Sequence, residues 1–262
     1  MDYKHLKTKI IYIVFLSLLV CFKSYSQTNS IITSGEIVYQ KKENVYNILD
    51  NQYATDDIQG MRQFAQSYKK DNSQFKTSFF TLDFNGEMSI YQPSKVSKPV
   101  KDFLDPYSSS NIVQNDYKNH MSLSQKTVFD RILTIKDSTR KIRWRLTNET
   151  RDIAGFTCRR ANAIIMDSVY VVAFYTDQIV TKGGPESFTG LPGMILGVAL
   201  PNEHVTWFAT EYKKPEDLDN LLKGTIDGKT ITQLDLSNIL DNNEAIKKFK
   251  KQYAFIKKRI LL

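Results

Sequence analysis

Apolar and polar positions alternate with a period of two along most of this chain, the spacing of half-buried β-strands. Residues 34–39, Ser34-Gly35-Glu36-Ile37-Val38-Tyr39, have the β-branched and aromatic content of a first strand. Over 76–91, Phe79-Phe80-Thr81-Leu82-Asp83-Phe84 and Glu87-Met88-Ser89-Ile90-Tyr91 flank Asn85-Gly86. Asn-Gly between strand-like runs predicts a tight hairpin, since both turn positions take positive φ. Strands are next expected over 127–135 and 141–147. In the latter, Ile142, Trp144 and Leu146 alternate with Lys141, Arg143, Arg145 and Thr147, as in an antiparallel strand with one wet face. Ala154-Gly155 turns the chain into a strand over 156–165. Asp167-Ser168 leads into 169–175, which is apolar on both faces and so predicted central. Residues 194–200 and 204–210, joined at Pro201-Asn202, complete about nine strands.

Helical spacing occurs twice. Ile58, Met61, Phe64, Ala65 and Tyr68 make one apolar face over 56–70, suited to covering a sheet. Near the end, Asp241 and Glu244 have the spacing of a capping box. Beyond them Ile246, Phe249, Tyr253, Ile256 and Ile260 form a stripe among lysines. Such a basic helix either lies on an anionic membrane or, more commonly, docks its stripe on its own domain. Strand and helix do not alternate as a parallel sheet requires, so the pattern predicts an α+β fold, mainly antiparallel β.

Two stretches break the periodicity. Residues 93–126 are rich in Ser, Lys, Asn and Pro and read as a long surface excursion, an insertion or a lid. The second holds Lys182-Gly183-Gly184-Pro185 and then Gly190-Leu191-Pro192-Gly193-Met194-Ile195. Four glycines and two prolines in one loop predict a single held shape, either a structural corner between strands or a contact site.

The first residues bear on compartment. Lys4, Lys7 and Lys9 precede the apolar run 10–22, and Ser24 and Ser26 stand three before and one before Gln27. This is the pattern of a secretory signal over 1–26, and the run is short for a membrane span. Cys21 follows the branched Val20, which disfavours a lipidation signal. Removing residues 1–26, with their four lysines and one aspartate, leaves 236 residues of net charge +5, expected to form one β-rich domain over 27–262. The surplus is mild, so nucleic acid is not the expected partner, and no later stretch is apolar enough to span a membrane. Cys158 is then alone, without an internal disulfide, and its strand-like flanks suit a small buried hydrophobe.

The usual catalytic patterns are missing. His120 and His204 come from separate regions with no His or Cys at ligand spacing, so neither a metal nor another cofactor is expected. There is no G-x-S-x-G elbow, and Asp83, Asp130 and Glu149 form no recognisable glycosidase pair. Gly190–Gly193 lacks the Lys-Ser/Thr of a phosphate loop. Glu216, Asp217 and Asp219 read as a helix start after Pro215.

Gly190-Leu191-Pro192-Gly193-Met194-Ile195 resembles the signature of the GLPGLI family of exported proteins from Gram-negative bacteria, with Met194 in place of leucine. Trp144-Arg145-Leu146-Thr147-Asn148-Glu149-Thr150, Ile153-Ala154-Gly155-Phe156-Thr157-Cys158 with Ala161, Phe174-Tyr175-Thr176 and the opening 34–39 are similar to its other segments. The resemblance implies residence in the periplasm, at the outer membrane or outside the cell, and carries no agreed activity. The middle segment also resembles half-barrel proteins that carry or sense lipids and lipoproteins, which implies a curved sheet around an apolar cavity. In such a fold Trp144, Tyr170, Phe174, Trp207 and Phe208 would line the concavity, or simply fill the core. The expected function is a binding module for an apolar or amphiphilic ligand such as a lipid. The alternatives are an interaction protein for an outer-membrane assembly or transport complex, and a hydrolase.

Overall fold

The computed structural model describes residues 31–53, 59–95, 110–128, 131–214, 222, 226, 228–243 and 250–262. In chain order the strands are β1 (Gly35–Asn44), β2 (Phe75–Phe84), β3 (Met88–Pro93), β4 (Ile112–Asp116), β5 (Met121–Val128) and β6 (Arg131–Ser138). Then come β7 (Arg145–Ile153), β8 (Phe156–Ile165), β9 (Val169–Thr176), β10 (Met194–Leu200), β11 (Val205–Lys213) and the short β12 (Thr230–Ile231). Helices α1 (Val45–Tyr53) and α2 (Gln59–Asp71) follow β1, and α3 (Gln233–Asp241) and α4 (Lys250–Leu261) follow β12.

These strands form one sheet in the order β12-β6-β5-β4-β3-β2-β1-β11-β10-β9-β8-β7, antiparallel except where β12 joins β6. Two meanders therefore meet at β1. Residues 139–144 link β6 to β7, which stand ten places apart in this order. Laid flat, ten steps of about 4.8 Å would separate them by roughly 48 Å. The linker can reach at most about 25 Å. The sheet must curl, although its two margins do not pair and the barrel stays open. The fold is α+β with a curved antiparallel sheet, the class that the periodicity predicts.

Local chemistry explains the turns. Gly86 has φ 89°, and the Asn85 side chain accepts from the Met88 amide at 3.0 Å, closing the β2–β3 hairpin. Ala154 and Gly155 both have positive φ, 51° and 83°, at the β7–β8 turn. On β1, burial alternates so that Ile37, Tyr39, Lys41 and Glu43 point inward. The core they join includes Phe80, Leu82, Tyr91, Val198, Leu200 and Trp207, together with Phe188 and Leu191 from the long β9–β10 loop. A second cluster seats Leu236 and Leu240 of α3 and Ile260 of α4 on Val128 and Ile135.

Several sequence expectations need correction. The excursion read over 93–126 contains two paired strands, β4 and β5, while its residues 96–109 lie outside the described ones. The single strand expected over 127–135 is the end of β5 and the start of β6, with 129–130 also outside. Residues 141–144 are unpaired, because they bridge the two margins of the curl, and the strand starts at Arg145. The early helix packs Phe64, Ala65 and Tyr68 on Val45 and Leu49 of α1, a helix the periodicity did not reveal. Asp241 is the last residue of α3 rather than a cap, and the capping box is Thr232 with Asp235. Glu244, Ile246 and Phe249 lie outside the described residues, as do Ile58 and the acids at 216–219. The stripe nonetheless docks inward at its far end, where Ile260 is fully buried.

Candidate functional site

The five aromatics singled out in the sequence do not converge on one cavity. Trp207 and Phe208 are consecutive on β11, so their side chains leave opposite faces. Trp207 is 3% exposed and lies with Phe188 at 6.1 Å between ring centres, and the Lys41 Nζ stands 5.6 Å from its ring. Phe208 instead faces Phe174 at 6.3 Å, with the Arg151 guanidinium 4.8 Å from the Phe208 ring. Tyr170 and Trp144 are half-buried against the same core, and the Trp144 Nε1 donates to the Thr189 carbonyl at 2.9 Å. Phe174 belongs to that core, and Trp144 packs against it.

The Gly/Pro loop is held from within. The Ile195 amide donates to Gly183 O at 2.8 Å, Met194 to Ile179 O at 3.1 Å, and the Thr189 hydroxyl to Lys182 O. Gly193 has φ 140°, and a Cβ there would lie 2.0 Å from the Thr176 carbonyl. Leu191 is buried, while Gly190 and Pro192 are exposed. Inside the curl, Tyr39 donates from its hydroxyl to Ile195 O at 2.6 Å, fastening the loop's end to β1.

Burial pushes the Cys158 thiol up to about 12, with Asp152 adding to the shift. A group so far from ionisation is a packing element. His120 and His204 sit on separate turns, both with positive φ, and His204 meets the Asn51 side chain at 2.9 Å. Among the described residues, no group of three His, Cys, Asp or Glu could hold a metal ion. No helix among them is long and apolar enough to cross a membrane.

A cleft lies elsewhere, on β4, β5 and β6 beneath α3, with a volume of about 490 Å³. Its floor follows from strand geometry. Ser122, Ser124 and Lys126 are alternate residues of β5 and share one face. Ser124 pairs with Val113 on β4 and Ile135 on β6, and Ser122 pairs with Asp137. Gln233, Leu234 and Ser237 of α3 form the opposite wall, and Arg140, Met166, Ser187 and the 261–262 segment line the rest. The lining thus joins a hydroxyl row and two cations to an apolar surface.

Of the two cations, Lys126 is buried and Arg140 half-buried. Lys126 is 4% exposed and donates from Nζ to Ile260 O at 2.8 Å. Burial lowers its amine to about 8, helped by Arg140 and opposed by Glu186. Burial also lowers the Arg140 guanidinium, which donates to Leu261 O. Both oxygens of Asp137 are engaged: Oδ1 accepts from the Ser138 amide at 2.7 Å, and Oδ2 from the Gln233 amide at 3.1 Å. Sequence reading missed this site because it treated β4 and β5 as loop. The available signal was Ser122-x-Ser124-x-Lys126, a polar alternation of period two.

The fold is of the α+β class, one curled antiparallel sheet with a lateral cleft. The family model for the N-glycanase peptide, N-terminal domain, matches residues 93–237, more than half of the chain, and the chain belongs to that family. Two solved structures of PNGF-II, in different space groups, are similar in fold. One has a TM-score of 0.52 and 18% identity, covering 80% of this chain and 33% of that one. The other has a TM-score of 0.50 and 16% identity with the same coverage, 80% and 33%. The chain thus spans about a third of the length of those structures. No curated protein matches it in sequence.

Proposed function

We propose that this chain is an exported binding module for an apolar or amphiphilic ligand, and that the groove between β4–β6 and α3 is its site. The observation that carries this reading is the groove itself: about 490 Å³, walled by Val113, Ile135, Met166 and Leu234 and edged by serines, Gln233, Lys126 and Arg140. That size and mixture are typical of small-ligand sites. The relation to the N-glycanase N-terminal family, and the span of a third of PNGF-II, support a module working beside glycan-processing machinery. The GLPGLI-like loop and the leader pattern over 1–26 support an envelope or extracellular setting.

The test is native mass spectrometry of gently purified protein, with lipophilic-dye titration. A bound hydrophobic species, or saturable dye binding weakened by Leu234→Asp at the exposed rim, is expected. A ligand-free protein that binds no dye would sink the reading.

A further inference from the structure

The segment 260–262 is gripped in an unusual manner. Three consecutive backbone carbonyls take side-chain donors from four separate places in the fold. Lys126 of β5 donates to Ile260 O. Arg140, from the β6–β7 linker, and Gln233 of α3 donate to Leu261 O. Ser187, from the β9–β10 loop, and Arg140 donate to Leu262 O. All four donors also line the groove. Four remote segments therefore place two cations, an amide and a hydroxyl around a row of oxygen acceptors at one end of an apolar cleft.

Resting on the reading of the groove as a ligand site, we propose that this end is an oxyanion subsite, and that the ligand is an acidic amphiphile. Its carboxylate or phosphate sits at Lys126, Arg140, Ser187 and Gln233, and its apolar tail lies along Val113, Ile135, Met166 and Leu234. The carbonyls of 260–262 stand in for the ligand's anionic oxygens. An ammonium carries three N–H donors, a guanidinium five and a side-chain amide two, so Lys126, Arg140 and Gln233 keep donors beyond those three carbonyls, while the single Ser187 hydroxyl donor reaches the ligand only by leaving Leu262 O. Within the lining the two cations meet Asp137, whose oxygens are already engaged by backbone amides. Glu186 acts on Lys126 from the loop side, and its Oε2 accepts from Asn111 at 3.0 Å. Among the described residues the lining holds no aromatic ring on which a sugar could stack, which favours a lipid-like tail over a glycan.

Calorimetric titration of the full chain with dodecanoate, dodecyl phosphate, dodecanol and inorganic phosphate tests this. Both anionic amphiphiles should bind at least tenfold more tightly than dodecanol, their ratio reporting which head group fits. Inorganic phosphate alone should bind far more weakly than dodecyl phosphate. Arg140→Gln should bring the acid-over-alcohol preference below about threefold with dodecanol affinity retained. If Arg140→Gln does not fold, judged by circular dichroism, the Ser187→Ala/Gln233→Ala double variant replaces it, with a loss of at least threefold in preference expected. Dodecanol binding as tightly as the acids, or an unchanged preference in the folded variant, overturns the subsite and leaves the groove reading intact. Failure of every amphiphile to bind overturns both.

Discussion

At the scale of single residues, two glycines of one loop should behave differently. Gly193 has φ 140°, and a Cβ at that position would meet the Thr176 carbonyl at 2.0 Å, so Gly193→Ala forces the backbone to move. It should cost at least about 2 kcal/mol in denaturant unfolding. Gly190 has φ 93° but its nearest neighbour, the Trp144 Nε1, is 3.8 Å away, so Gly190→Ala should cost only about 1 kcal/mol. Equal losses would show that the loop is not pinned at Gly193. Asp83 makes a pH prediction. Burial raises its carboxyl to about 6, and Glu36, its pair across β1–β2, adds to the shift. The folded pKa lies above the unfolded one, so the folded state holds the extra proton between about pH 4 and 6. Stability should therefore fall as pH rises through this window. Asp83→Asn should flatten that slope and raise stability above pH 7 by about 2 kcal/mol, with little effect at pH 4. Thermal melts of both proteins at pH 4 and 7.5 check it.

At the scale of elements, α4 is fixed by charge as well as by its stripe. Arg259, 5% exposed, pairs with Glu43 of β1, 3% exposed, and Lys41 stands 3.6 Å from the same carboxylate. Arg259→Met alone leaves Glu43 buried without its arginine and should cost about 3–5 kcal/mol. Adding Glu43→Gln should recover part of that loss, and a double-mutant cycle by chemical denaturation reads the coupling. A strictly additive result would show that the pair does not hold the helix. Elements were unevenly legible in the sequence. Gly86 and the Asn85 side chain announce β2–β3 because that turn needs only local chemistry. In contrast, β5 reads as loop because one face carries Ser122, Ser124 and Lys126, which line the groove and join no apolar cluster. Residues 141–144 alternate like a strand yet pair with nothing, since their path is set by the distance between two margins of the sheet. The Arg259–Glu43 pair joins positions 216 apart in the chain, a contact that no local spacing announces.

At the scale of the whole molecule, fold class came through the period-two pattern, while the groove did not, because it draws on β4, β5, β6, α3, three connecting segments and the end of α4. Of the aromatic candidates Phe174 and Trp207 are buried and Trp144, Tyr170 and Phe208 half-buried, and strand geometry divides Trp207 and Phe208 between faces. If the groove holds a ligand only in the folded state, saturating ligand should raise the melting temperature. At a hundred times Kd the added stability is about 2.7 kcal/mol. Absence of any shift at saturation would contradict binding to the native fold. The meeting of two meanders at β1 also has a kinetic consequence. β1 pairs with β2 across a short stretch of chain but with β11 only after residue 205 has been made, Glu43 lying opposite Val205. Until then one margin of β1 is a bare hydrogen-bonding edge bearing Ile37 and Tyr39, open to association with other nascent chains. Closing a loop of that length is the slow step for sheets of distant pairing. A charge placed at Tyr39 should therefore slow refolding more than the same change at Ile90, and the interval before β11 emerges is when the chain most needs a chaperone.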